Sequence, residues 1–206
     1  LAGLRNAGSA RICLYGPPGS GKTAFCQYLA EQLGKPLLFK PASSLLSCYV
    51  GESEKLIAQA FAQASEDGAV LLLDEVDSFL QQRSKAEHSW HVTQVNELLQ
   101  QMERFNGILL TTTNQLPQLD QAALRRFDLV IGFSYLSAEQ AMDLLREHCK
   151  LLGLSNTVAA IKQLQHLVSL TPLLTAGDYH AVARQARFRP LADACAFVTE
   201  LQKAVQ

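Results

Sequence analysis

Residues 16–23 run Gly16-Pro17-Pro18-Gly19-Ser20-Gly21-Lys22-Thr23, and this octet restricts the chain more than any other stretch. It fits the pattern G-x-x-x-x-G-K-[ST]. Its glycines let the backbone turn tightly, so that several N–H groups point inward at an anion. Lys22 adds a compact positive charge suited to β- and γ-phosphates, and the Thr23 hydroxyl is set to ligate Mg2+. The helix that begins here, with Ala24 in its first turn, turns unpaired N–H groups and its positive dipole end to the same anion. Ahead of the octet, residues 11–15 form a short apolar run that reads as a buried strand. Behind it, residues 24–33 read as a helix closed by Gly34, with Pro36 just beyond. Strand, glycine loop and helix together are the setting in which this motif holds a nucleoside triphosphate.

The rest of the chain supports a folded domain around that loop. Hydrophobic residues make up 48% of the 206 residues, enough for a real core and for one domain, or one with a small added lobe. The net charge of −1, from 18 basic and 19 acidic residues, advertises neither a nucleic-acid nor a membrane surface. No stretch is long and apolar enough to span a membrane, and no signal peptide is legible. Cys13, Cys26, Cys48, Cys149 and Cys195 include no C-x-x-C pair, which favours buried reduced thiols and a cytoplasmic setting over disulfides or zinc. The chain begins at Leu1, as expected of a piece of a longer protein.

Strand-like runs at 12–15, 36–39, 70–74, 108–113 and 130–133 alternate with helical patterns. Segment 54–66 carries Leu56, Ile57, Ala60, Phe61 and Ala64 on one helical face; segment 92–105 repeats the pattern with Val95, Leu98, Leu99 and Met102. Such alternation predicts an α/β fold with a mainly parallel sheet covered on both faces. Beyond residue 136 the pattern becomes helical. Ser137-x-x-Gln140 reads as a capping box for a helix ending near Gly153, and Thr175-x-x-Asp178 as another for a helix reaching about Phe188. Segments 158–170 and 191–205 also read as helices. The expected division is an α/β part over 1–135 and an all-helical part over 136–206.

Leu71-Leu72-Leu73-Asp74-Glu75 is an apolar strand ending in two carboxylates. Ligands of parallel α/β sheets gather at the carboxyl ends of the strands, so these acids are expected near the phosphates. Asp74 can hold Mg2+, directly or through water. Glu75 can orient and polarise an attacking water. Thr111-Thr112-Thr113-Asn114 ends another strand in an amide, whose donor and acceptor can reach the same water or the γ-phosphate.

These segments, with Arg125-Arg126-Phe127-Asp128 and Thr175-Ala176-Gly177-Asp178, stand in the order and approximate spacing of the AAA ATPases. The chain resembles the protein-remodelling clade of that family over residues 10–200. The resemblance makes 16–23 the Walker A loop, 71–75 Walker B, Asn114 sensor 1, Arg125 and Arg126 the arginine-finger segment, and 175–178 the start of the sensor 2 helix. It implies a P-loop core with a five-stranded parallel sheet and a small helical lid. It also implies self-association into a ring, usually of six, with ATP and Mg2+ as cofactors and ATP bound between subunits. An arginine from the neighbour then stabilises charge on the transferring phosphoryl group, worth about 10³–10⁵ in rate.

The chain departs from the family in three places. The clade usually separates its two arginines by a short Pro-Gly-like insertion, whereas Arg125 and Arg126 are adjacent. Neighbouring side chains do not share a helix face and alternate on a strand, so one of the two, undetermined from the sequence, is expected to act in trans. The sensor 2 helix starts Ala176-Gly177-Asp178 with no arginine; small residues there let backbone approach a nucleotide closely, which argues for protein remodelling over DNA loading. Only about ten residues precede the first strand, so a family segment that helps wall the adenine pocket is missing from this stretch. By resemblance, Tyr49-Val50-Gly51 is a loop that faces the ring's central pore and grips an unfolded polypeptide. An aromatic there offers large, sequence-tolerant contact area, and the glycine lets the loop move. His88, Trp90 and His91 fall where the family has a second pore loop, and too few ligands stand nearby for a metal site. His148, His166 and His180 read as packing or surface residues.

The leading expectation is therefore an ATP-hydrolysing motor that remodels or unfolds protein substrates, without nucleic-acid or membrane partners. The adjacent arginines keep open a low-turnover scaffold that assembles on ATP. A DNA-associated AAA+ ATPase is the third reading, opposed by the near-neutral charge and the lid without a sensor arginine.

Overall fold

A computed structural model describes residues 2–49, 51–78, 80, 89–155, 157–170 and 173–205, the side chains of residues 2, 78, 89–92 and 170 excepted. The described residues form two compact units. The larger comprises Leu1–Gly16 and Lys22–Gly132; the smaller comprises Pro17–Gly21 and Phe133–Gln206.

The larger unit is a five-stranded sheet with helices. Its elements are α1 (Ala2–Ala7), β1 (Ala10–Tyr15), α2 (Lys22–Leu33), β2 (Leu37–Pro41), α3 (Glu52–Glu66), β3 (Val70–Asp74), α4 (Ser89–Arg104), β4 (Ile108–Thr113), α5 (Gln121–Leu124) and β5 (Leu129–Gly132). All strand pairs are parallel, in the order β2-β3-β4-β1-β5. The predicted α/β class holds, and β3 and β4 begin and end where the sequence pattern sets them. Helix α3 buries Ile57, Ala60, Phe61 and Ala64, and α4 buries Val95, Leu98, Leu99 and Met102. These join Leu71, Leu73 and Leu109 of the sheet in one core. Phe61 meets Phe105 edge to face, with ring centroids 5.3 Å apart, the geometry the aromatic quadrupole prefers.

The covering of the sheet is incomplete at its edges. Strands β3 and β4 are buried almost throughout, but in β5 Leu129 and Val130 are 50% and 43% exposed, and in β2 Phe39 is 45% exposed. An apolar run specifies a strand without specifying how many neighbours it has. Helix α1, before the first strand, has no counterpart in the sequence pattern.

The smaller unit packs α6 (Ala138–Leu152), α7 (Val158–Leu170), α8 (Ala176–Ala186) and α9 (Ala194–Val205). Both capping boxes form. The Ser137 N–H donates to Gln140 Oε1 at 2.9 Å and the Gln140 N–H returns to Ser137 Oγ at 3.2 Å. Asp178 accepts from the Thr175 N–H and hydroxyl, both at 2.8 Å. Helix α6 ends at Gly153, whose φ of 68° closes the last turn, a conformation glycine adopts without a Cβ penalty. Leu145, Leu164, Tyr179, Phe197 and Leu201 form the core of the unit. The Tyr179 hydroxyl in that core donates to the Ala141 carbonyl at 2.8 Å. His148 is buried there against Tyr179 and Phe197, while His166 and His180 lie on the surface. Among the described residues no helix is long and apolar enough to cross a membrane.

Candidate active site

The strand order brings the predicted chemistry together in the larger unit. Strand β4 lies between β1 and β3, so the carboxyl ends of all three are adjacent. Tyr15 of β1 pairs with Thr113, and Leu73 of β3 pairs with Thr111. The loop that follows β1 leads to Lys22, the first residue of α2 and only 7% exposed. Its ammonium group donates to the Gly16 carbonyl at 2.9 Å and to Asn114 Oδ1 at 2.8 Å. The Thr23 hydroxyl donates to Asp74 Oδ1 at 3.1 Å. Lys22, Thr23, Asp74 and Asn114 thus meet across three strands, and Glu75 follows Asp74 directly.

Electrostatics fits an anion site. Burial lowers the pKa of Lys22, and the opposing pull of Asp74, Asp77 and Glu75 only partly offsets this. A lysine kept charged at a desolvation cost is one whose charge a phosphate would stabilise. Glu75 has a φ of 58° and is the one non-glycine residue with positive φ among the described residues. That backbone costs about 1–2 kcal/mol for a residue with a Cβ, and such strain gathers at functional positions. The Glu75 N–H donates to Thr112 Oγ1 at 3.0 Å.

The glycine-loop segment Pro17–Gly21 belongs to the smaller unit, where it meets the start of α8. The Gly177 N–H donates to the Gly19 carbonyl at 2.8 Å. A Cβ on Gly177 would stand 2.8 Å from the Gly19 Cα, and one on Gly19 would stand 2.7 Å from Thr175 Oγ1. Gly19 and Gly21 also have φ of 75° and 95°. The contact therefore requires glycine at both ends. Ser20 Oγ is buried without a hydrogen-bond partner among the described residues. An orphaned hydroxyl in a cradle of glycines fits a loop shaped for a polar ligand. Thr23 with Asp74 offers hard oxygen donors suited to Mg2+, which takes few protein ligands and keeps waters and phosphate oxygens around it.

The arginine segment is divided by its surroundings. Arg126 donates from Nε to Glu103 Oε1 at 2.7 Å and from Nη1 to the Ala122 carbonyl at 2.7 Å. Phe127 is buried, and Asp128 accepts the Arg11 N–H at 2.7 Å while its own N–H returns to the Arg11 carbonyl at 2.8 Å. Arg125 is exposed, with no side-chain partner among the described residues. Tyr49 is 72% exposed, and Gly51, with φ of 80°, caps α3. The Ser47 N–H beside this loop donates to the buried Ser53 hydroxyl at 2.8 Å, which also accepts from Gln94 at 3.2 Å. Val50 and His88 lie outside the described residues, as do the side chains of Trp90 and His91.

Sequence reasoning missed Asp77, which accepts from the Thr113 hydroxyl and, at 3.4 Å, from the Asn114 N–H. It is the third acid after an apolar strand, a signal open to reading. It also missed the hold of Glu103 on Arg126, for which the sequence carries no signal.

A sequence model of the "ATPase family associated with various cellular activities (AAA)" matches residues 12–135. The chain belongs to the AAA family of ATPases. It is also similar to spastin of Drosophila erecta and of Drosophila melanogaster, each 34% identical over 199 residues, covering 93% of this chain and 26% of the relative. Spastin of Drosophila willistoni matches at 34% identity, with 25% of its length covered. The chain thus spans about a quarter of the length of these curated relatives. The AAA match takes in the glycine loop, Asp74 at the end of β3, Glu75 just after it, Asn114 and the arginine segment.

Proposed function

We propose that this AAA domain hydrolyses ATP with Mg2+ in a ring of like subunits and uses the cycle to remodel protein chains. The observation that carries the reading is the meeting of Lys22, Asn114, Thr23 and Asp74 at the ends of β1, β3 and β4. In this reading Gly16–Thr23 and Ala24 at the head of α2 hold the phosphates through backbone N–H groups, and Lys22 exchanges its bond to Asn114 for a phosphate oxygen. Ala176 and Gly177 add backbone beside Gly19. Thr23 and Asp74 hold Mg2+, which neutralises phosphate charge when bound. Glu75 accepts a proton from the attacking water, and the freed Asn114 amide orients that water.

The final element is an arginine from a neighbouring subunit, and we assign it to Arg125. The support is that Arg126 is engaged by Glu103 and the Ala122 carbonyl, whereas Arg125 is exposed and has no side-chain partner among the described residues. Arg126 then keeps the segment in shape. Tyr49, with Val50 and Gly51, forms the loop that grips the polypeptide; its high exposure supports contact with something other than its own domain.

Specific ATPase activity measured against protein concentration, with Glu75→Gln as the blank, tests the reading. Activity per subunit that rises with concentration is expected. Activity absent in wild type despite ATP binding would contradict hydrolysis, and activity independent of concentration in a protein that sediments as a monomer would contradict the shared site.

A further inference from the structure

One hydroxyl in the larger unit joins both carboxylate residues of the Walker B segment. Thr112 is the penultimate residue of β4, 1% exposed. Its Oγ1 donates to Asp74 Oδ1 at 2.5 Å and accepts the Glu75 N–H at 3.0 Å. A hydroxyl carries one donor and two acceptor sites. Here the donor is committed to Asp74, so the oxygen is oriented to receive Glu75. The same Asp74 oxygen receives the Thr23 hydroxyl at 3.1 Å. The residue so held, Glu75, has the positive φ of 58°, a conformation that persists only where surroundings impose it.

We propose that Thr112 is a positioning residue for hydrolysis. Its hydroxyl fixes the Asp74 carboxylate with one hydrogen bond and locks the Glu75 backbone in its left-handed turn with another. This rests on the ATPase reading above and deepens it. Asn114, two residues further on, is the expected sensor of β4; Thr112 is buried within the strand and bonded to Asp74 and Glu75, so it acts through those two residues. Without the hydroxyl, the Glu75 amide loses its bond to Thr112 and the hold on its positive φ weakens. That swings the carboxylate away from the line of attack while leaving Lys22 and the glycine loop intact. Misplacement by about 1 Å costs on the order of 10²-fold in rate. The defect should therefore fall on turnover, with ATP binding spared.

The test compares wild type, Thr112→Val and Thr112→Ser in the full-length protein, with Glu75→Gln as the inactive reference. Valine keeps the β-branched shape that suits a strand and removes the hydroxyl. Serine keeps the hydroxyl. We expect Thr112→Val to lower kcat by about 10- to 100-fold, with KM for ATP, the ATP-induced rise in Tm and the ligand-free Tm close to wild type. Thr112→Ser should recover most of kcat. Should valine prevent folding, Thr112→Ala, which removes the hydroxyl without adding bulk, is read in the same way. A hydroxyl-free variant with wild-type kcat, or one whose loss of kcat is matched by lost ATP affinity or lost Tm, would overturn the positioning role. So would a serine variant as slow as valine. Wild type that fails to hydrolyse ATP would overturn the ATPase reading itself, and the proposal with it.

Discussion

Lys22 and Glu75 each carry a cost in the ligand-free fold that the proposed chemistry would use. Burial holds the Lys22 pKa below the ordinary lysine value of 10.5. The sign follows from linkage: a lowered lysine pKa means that the charged form weighs against the fold below the folded-state pKa. That penalty disappears as pH rises toward 10.5. Removing the charge should therefore not harm the empty protein. Lys22→Met is expected to keep or raise the ligand-free Tm at neutral pH, while abolishing the rise in Tm that ATP produces; thermal melts with and without Mg-ATP check both. Glu75→Gln keeps the shape, replaces one acceptor oxygen with a donor amide and cannot take a proton. Its hydrolysis should fall by about 10²–10⁴-fold with ATP affinity retained, as a filter-binding titration beside a phosphate-release assay will tell. The thiols separate by environment as well. Burial pushes Cys13 up to about 11 and Cys26 up to about 12, whereas Cys48 is exposed beside Tyr49. At pH 8 a thiol reagent should label Cys48 first and leave Cys13 and Cys26 unlabelled in the folded protein. The expectation of buried thiols thus holds for Cys13, Cys26 and Cys149, and fails for Cys48.

At the scale of elements, close approach of backbone decides one prediction. Gly177→Ala would set a Cβ 2.8 Å from the Gly19 Cα, where backbone must move. Overpacking of this kind costs about 1–3 kcal/mol, so the variant should melt earlier and bind ATP more weakly. Equal Tm and equal affinity would show that the contact is slack. The elements also show what was legible in the sequence. Strands β3 and β4 were readable because both sit in the middle of the sheet, where burial on two faces makes every position short of Asp74 apolar or small. Helix α6 was readable because Ser137, Gln140 and Gly153 are its own local start and stop signals. The exposure of Leu129, Val130 and Phe39 was not, since the strand order that makes β5 and β2 edges is a property of the whole sheet. The bridge from Thr112 to Asp74 and Glu75, and that from Glu103 to Arg126, join residues 38, 37 and 23 positions apart. No local periodicity encodes such pairs. Lys22, Thr23 and Asp74 were legible for the opposite reason, because phosphate chemistry demands fixed residue types at fixed spacing.

For the molecule as a whole, the distribution of arginine partners gives the assembly its test. If Arg126 is fixed in its own subunit by Glu103 and Arg125 serves a neighbour, then the two adjacent residues fail differently when changed. Arg126→Ala should lower Tm and disturb the α4 to α5 packing. Arg125→Ala should leave Tm unchanged and remove hydrolysis. The most direct measurement is complementation. Glu75→Gln and Arg125→Ala subunits of the full-length protein, each inactive alone, are mixed and allowed to exchange before ATPase activity is read. A site with the intact Glu75 of one subunit and the intact Arg125 of its neighbour should hydrolyse ATP, so the mixture is expected to regain activity that neither variant has. A mixture as inactive as its parts, with subunit exchange verified, would contradict a site completed by Arg125 from outside.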